Sequence, residues 1–304
     1  MSGINTNRTN ISLPAEISAE IITKVQEESA IMRLAKPINL PGRGLTIPVI
    51  AGDPEANWVD ETNAKPVSNP TLSQKNMKGY TLAVIVPFSN QFKRDAQALY
   101  AEIVSRLPKV LGNKFDATIF HGTAPGTGFD VLTGCTAETI SGTGKSFYKA
   151  LVNSDVAIAA AGYAVNGYAM SPQARGEMLL AEDNNKRPLF VNNVAEGGIP
   201  RLLGQPVYYT RGVYGAGNAE SGTSGQEGYV AAAPDVLGVA GDWTQARYGI
   251  VQGVDVSISD QATLTISNAQ VNLWERNMFA IRAEIEVGFI ATTDAFRKIV
   301  RDHA

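Results

Sequence analysis

The sequence predicts an α+β fold, and three patterns carry that prediction. Toward the end of the chain, Phe279, Ile281, Ala283, Ile285, Val287 and Phe289 alternate with Ala280, Arg282, Glu284 and Glu286, the period-two signature of a strand with one buried face. From Asp95, the residues Leu99, Ile103, Leu107, Val110, Ala117 and Phe120 recur near the 3.6-residue period of a long helix. Between residues 131 and 245, helical and strand-like segments alternate in the manner of an α/β unit. At about 3.4 Å per residue the period-two strand would run roughly 37 Å, long enough to build an extended sheet beside the long helix.

Composition narrows the function. With 44% hydrophobic and 18% charged residues, the 304-residue chain can bury a large core and is globular. A net charge of -3 with no basic run argues against a protein that grips phosphate backbones. The apolar stretches fall short of the ~20 residues a membrane span needs, and no membrane partner is expected. The polar start, Met1 to Asn7, has no secretory h-region. The single cysteine, Cys135, excludes an internal disulfide and a cysteine-based zinc site. These features fit a soluble protein made in a reducing cytosol.

In chain order, the first eleven residues read as a polar arm. Ser18 is a candidate cap for a short amphipathic helix with Ile21, Ile22, Val25 and Met32 on its apolar side, and the breaker-rich run Pro37 to Gly44 ends that segment. A strand-like stretch, Leu45 to Ile50, then leads into an excursion from Ala51 to Gly79 before a second strand-like stretch, Tyr80 to Val86. The excursion offers Trp58, Val59, Val67, Leu72 and Met77 as its main apolar side chains, scattered among polar residues and Pro54, Pro66 and Pro70. It cannot build a core of its own, and a loop of that length inside a compact domain is either disordered or functional. We read it as an arm that packs on something outside its own domain. In the long helix Pro108 should cause a kink or a restart, because it lacks an N–H and crowds the preceding turn. Phe147 to Ala160 and Gln173 to Glu182 read as helices, Gly162 to Met170 and Pro206 to Thr210 as strands, and Gly215 to Gly228 as a mobile surface loop.

Catalytic constellations are weak. Gly142-Thr-Gly144-Lys145-Ser146 resembles the end of a phosphate-binding loop, but Thr139 stands where that motif needs a glycine, and a turn feeding a helix explains it as well. His121 falls at a helix end and His303 next to the last residue, neither beside a nucleophile elbow; buried packing is the default for Cys135. Asp53, Glu55, Asp60 and Glu61 lie on the outgoing limb of the excursion and Lys65, Lys75 and Lys78 on its return, with Lys93 and Arg94 following. No calcium-loop spacing links the acids. Either this is a solvated hairpin, or its limbs present opposite charge to neighbouring subunits and select register. No cofactor is expected.

The order of features is distinctive. Val86-Pro87-Phe88-Ser89-Asn90 leads to the long helix, which ends in Phe120-His121-Gly122-Thr123; Gly126 to Gly134, Leu180 to Leu189 and Leu202 to Val207 follow; Gly241-Asp242-Trp243 precedes Tyr248 to Val256; Asn277 to Phe289 and Thr293 to Ile299 close the series. From about residue 40 onward this series resembles the major capsid proteins of tailed double-stranded DNA bacteriophages with the HK97-type fold. The resemblance implies an N-terminal arm (1–40), an extended E-loop hairpin with flanking strands (41–86), the spine helix of a P-domain (87–130), an α/β A-domain (131–250), the long P-domain strands (251–290) and a segment returning to the A-domain (291–304). It also implies self-assembly as pentamers and hexamers into an icosahedral virion shell around double-stranded DNA, bound without sequence specificity, with a portal protein as partner and assembly in the host cytoplasm.

Some relatives carry an N-terminal scaffold segment of about a hundred residues. Only about forty precede the first core strand here, so a separate scaffolding protein is expected. Other relatives form Lys–Asn crosslinks, a reaction that needs a deprotonated lysine and a nearby carboxylate. Lys75 and Lys78 are the plausible donors, and no motif identifies the asparagine. The residues expected at inter-subunit contacts are Trp58, Asp60, Glu61, Lys65, Lys75 and Lys78, with Arg282, Glu284 and Glu286 on the polar face of the long strand. An encapsulin-type compartment shell is the nearest alternative, and an oligomeric α/β phosphate-binding enzyme using Lys145 a remote one.

Overall fold

Residues 24–26, 28–52, 56–59, 65, 67, 71–95, 97–182, 187, 201–221, 230–266 and 269–302 are described by a computed structural model. The proposed cap at Ser18, with Ile21 and Ile22, lies outside them. Among the described residues Ser29 caps a short helix, α1 (Ala30–Leu34), its hydroxyl accepting the Met32 N–H at 3.2 Å. The Pro37 region does more than break a helix. Strand β1 (Lys36–Asn39) runs parallel to a later strand, and Pro37 is tolerated because β1 lies at a sheet edge.

The excursion is more regular than its composition implied. Strand β2 (Leu45–Gly52) pairs antiparallel with β3 (Thr71–Met77), from Leu45 opposite Met77 to Gly52 opposite Thr71. The return limb was hidden because β2 and β3 form a two-stranded ribbon, so burial imposes no alternation along Thr71–Met77. At its base, Ile47 and Met77 are buried with Leu40 and Ile290.

Strand β4 (Tyr80–Ser89) feeds α2 (Asn90–Asp95), where the Ser89 hydroxyl accepts the Phe92 N–H at 3.2 Å, and then α3 (Gln97–Phe120). Helical structure thus begins before Asp95, and α3 continues through Pro108 without restarting. Its buried apolar stripe in the described part includes Leu107, Leu111, Phe115, Ile119 and Phe120, close to a four-residue spacing down one face; Val110 lies off that stripe and is exposed.

The next unit alternates as expected, with β5 (Ala137–Thr139), α4 (Phe147–Ala160), β6 (Gly167–Met170), α5 (Pro172–Leu180), β7 (Arg201–Leu202), β8 (Gln205–Tyr209) and β9 (Asp235–Gly241). Strand β6 is shorter than Gly162 to Met170, because Gly162 turns with φ 85° and all four strand residues are buried. The flank of the Gly215–Gly228 loop is tied down by isolated bridges, Gly215 to Val236, Asn218 to Ala233 and Ser221 to Val230. Then come β10 (Ala246–Ser259), β11 (Thr263–Ile266), β12 (Ala269–Asn272), β13 (Met278–Ala291) and β14 (Phe296–Arg301).

Two larger sheets result. One has the order β1-β10-β13-β4, the other β5-β14-β9-β6-β8-β7. In β13, Phe279, Ile281, Ala283, Ile285, Val287 and Phe289 are buried in the cluster that includes the apolar stripe of α3. Burial of those side chains, about 1.5–3 kcal/mol for each except the smaller Ala283, is the main force holding helix to sheet. The alternation lapses at Ala280, which is buried, and again from Gly288 to Ala291, where the hairpin base covers Ile290 on the second face.

Trp243 ties the six-stranded sheet to α3. Its ring lies 5.1 Å from Phe296 and 6.3 Å from Phe120, and its indole N–H donates to the Gly167 carbonyl at 2.9 Å. This gives Gly241-Asp242-Trp243 a physical reason: a Cβ on Gly241 would sit 2.1 Å from the Phe296 ring, and the Asp242 carboxylate accepts from Asn166, the Thr244 N–H and the Thr244 hydroxyl.

Candidate functional site

The hairpin carries the two most exposed large apolar side chains among the described residues. Trp58 is fully exposed (104%) and Val67 nearly so (88%), which leaves two large apolar side chains in solvent on one projection. An indole left uncovered is unusual on a monomer and is the residue type that anchors interfaces. Lys65 and Lys78 are also exposed. Asp60 and Glu61, together with Asp53 and Glu55, lie outside the described residues.

Lys75 behaves differently. Its ammonium turns inward to Asp130 Oδ2 at 2.9 Å and the Ala291 carbonyl at 2.6 Å, and Asp130 also accepts the Ala291 N–H at 3.1 Å. This three-way contact fixes the hairpin base to the end of β13. At about one-third exposure the ion pair itself is worth under about 1 kcal/mol; its value is geometric. The amine is therefore engaged within its own chain, whereas Lys78 uses its backbone N–H to bond Gly128 at 2.9 Å and leaves its side chain outside.

The polar face of β13 is assembled as its alternation requires. Arg282 is exposed and lies 3.4 Å from Glu284, while Glu284 and Glu286 are half-buried. Asp255 stands directly opposite Glu284 across the β10–β13 pair, a like-charge juxtaposition that costs stability in an isolated sheet.

The chemical candidates resolve as structure. Ser146 caps α4 by accepting the Lys149 N–H at 3.3 Å, and the Lys149 ammonium bonds the Gly144 carbonyl, so the Gly142–Ser146 turn serves a helix start. Burial pushes the Cys135 thiol up to about 11, which leaves it a poor nucleophile. His121 follows the end of α3, its ring packs against Gly215, and burial holds its pKa below the usual value. Among the described residues no group of three His, Cys, Asp or Glu could hold a metal ion, and no helix is long and apolar enough to cross a membrane.

One important residue escaped sequence reading. Asp116 on α3 is fully buried and accepts from the Ser29 hydroxyl at 2.5 Å, the Ala30 N–H at 2.8 Å, the Ile31 N–H at 3.4 Å and the Thr210 hydroxyl at 3.1 Å. It therefore pins α1, α3 and the segment after β8 together. Backbones approach closely here: a Cβ on Gly212 would sit 2.6 Å from the Asn113 carbonyl. Burial raises the Asp116 pKa to about 6 although all four hydrogen bonds favour the ionised form. The available signal was an acid directly after Phe115, on the edge of the apolar stripe.

The phage capsid family matches residues 10–300 of the chain. The probable major capsid protein gp17 of Mycobacterium phage L5 is 26% identical, over 94% of this chain and 88% of that protein. The major capsid protein of Staphylococcus phage 80alpha is 25% identical, over 95% of this chain and 85% of that one. A solved chain from Mycobacterium phage Bobi superposes with a TM-score of 0.71 at 21% identity, covering 100% of this chain and 96% of that chain. The long helix on a four-stranded sheet, the projecting hairpin and the α/β unit are thus the HK97-type arrangement that the residues resembled. A match that runs through hairpin, helix and both sheets places this chain in the phage capsid family.

Proposed function

We propose that this chain is the major capsid protein of a tailed phage, assembling as pentamers and hexamers into an icosahedral shell around double-stranded DNA. The observation that carries this reading is the fully exposed Trp58 on a hairpin whose base is locked to its own body at Lys75. A rigid root with an unsatisfied tip is what a subunit needs to reach a neighbour. The names of the relatives from phages L5 and 80alpha support the same role.

In this reading the β2–β3 hairpin is the E-loop, and α3 with the β1-β10-β13-β4 sheet is the P-domain. The six-stranded sheet with α4 and α5, to which β14 returns, is the A-domain. Trp58, Asp60, Glu61, Lys65 and Lys78 make inter-subunit contacts, and Arg282, Glu284 and Glu286 offer a charged face to neighbours. Lys75 contributes by fixing the hairpin root. With the Lys75 amine ion-paired, Lys78 is the better-placed lysine for any covalent crosslink. A portal and a separate scaffolding protein complete the assembly, which takes place in the host cytoplasm. The slightly acidic chain lets DNA enter without adhering to the walls. The role is structural and not catalytic.

Electron microscopy of the purified chain, alone and with its scaffold, tests this directly. Closed shells of uniform size are expected, and a persistently monomeric chain under both conditions would refute the proposal.

A further inference from the structure

A cavity of about 820 Å³ opens between the hairpin base and the α/β unit. Pro48 and Lys75 of the hairpin line it, as do Tyr163 after α4, Gln245 and Arg247 at the start of β10, and Ile290 of β13. Its polar groups differ in how far they are satisfied. Lys75 is held by Asp130 and the Ala291 carbonyl, and Asp242, also in the lining, accepts three hydrogen bonds. Arg247 has no side-chain partner among the described residues, and neither has the side chain of Gln245. The cavity therefore combines a mostly polar lining, an aromatic ring and one uncommitted guanidinium, in a volume typical of a binding pocket.

We infer that this cavity receives the hairpin tip of a second copy, with its Trp58 ring set against Arg247. The inference rests on the proposed role of the hairpin and names the surface that receives it. Trp58 touches nothing in its own chain, so its own cavity does not hold it. An indole is the best aromatic partner for a guanidinium, and Arg247 offers one at the cavity wall. The residues flanking Trp58 in sequence, Asp53, Glu55, Asp60 and Glu61, complement an unpaired cation in sign. Tip and cavity are also different surfaces of one subunit. Each copy gives one and receives the other, a heterologous contact that generates closed rings when its rotation allows.

A cysteine pair tests it. Asn57→Cys leaves Trp58 in place at an exposed position, Gln245→Cys lines the cavity, and the native Cys135 is buried and does not compete. Particles assembled from the double variant and oxidised should run as a ladder of disulfide-linked oligomers on non-reducing gels, with neither single variant doing so. In parallel, Arg247→Glu should lower shell yield by about tenfold or more, while the unassembled protein melts at the wild-type temperature. Intact shells whose cysteine pair stays unlinked would overturn the cavity assignment and leave the shell role standing. Wild-type protein that forms no shells under any condition would instead remove the reading on which it rests.

Discussion

The node around Asp116 and the tip of the hairpin are opposite solutions to burying difficult groups. At the node, a carboxylate is withdrawn fully from water and satisfied by four donors from two distant parts of the chain. At the tip, an indole stands entirely in solvent with no neighbour. The node is complete within one polypeptide; the tip is complete only with another. Stability should therefore reside in the first and assembly in the second.

Variants can break or sharpen that contrast. The largest loss of stability is expected at Phe289→Ala, which empties a fully buried site beside Phe129 and should cost about 3–5 kcal/mol in denaturant unfolding. A loss below 1 kcal/mol would mean the helix–sheet contact is not the main core. Next comes Asp116→Ala, which strands buried donors of α1 and should cost roughly 3 kcal/mol.

Asp116 also carries a pH signature. Its folded pKa of about 6 exceeds the ordinary value of 3.8, so the folded state takes up the proton first. Its contribution is least favourable above pH 6, becomes more favourable as pH falls through 6, and is complete below about 4. Measured against Asp116→Asn, wild-type stability should gain on the variant between pH 7 and pH 4. A constant difference across that range would contradict the assignment.

Smaller still is Lys75→Ala. The pair with Asp130, about one-third exposed, should contribute under about 1 kcal/mol to unfolding, yet loosening the hairpin root should slow assembly. Smallest of all for the monomer is Trp58→Ala, expected within about 0.5 kcal/mol of wild type, because the side chain contacts nothing. Shell yield should nevertheless fall sharply. Normal yield from that variant would show that the tip is no anchor.

Much of the fold was legible because its elements bury one face continuously. The β13 alternation and the Phe147–Ala160 helix could be read locally, since each is a run of apolar residues with a fixed period. What stayed hidden lacked such a period. Strand β3 belongs to a ribbon, and β1 is four residues at an edge. The sequence allows a kink or a restart at Pro108, and the helix does not restart: Leu107 and Leu111, buried on either side, hold it through the proline. At the candidate site, Trp58 was visible as an isolated aromatic in a polar excursion. That Lys75 faces inward while Lys78 stays outside could not be read, because both sit on one polar limb and only a partner 55 residues away separates them.

By itself, the sequence determined which segments bury a face and that one long polar hairpin has no core of its own. Periodicity and composition are local properties, and they survive without knowledge of what lies opposite. The tertiary structure alone decided that Asp116 pins three distant segments and that Lys75 anchors the hairpin to Asp130. It alone left Arg247 uncommitted in a cavity. Each of these depends on groups far apart in the chain meeting within hydrogen-bond distance, and no local pattern encodes such a meeting.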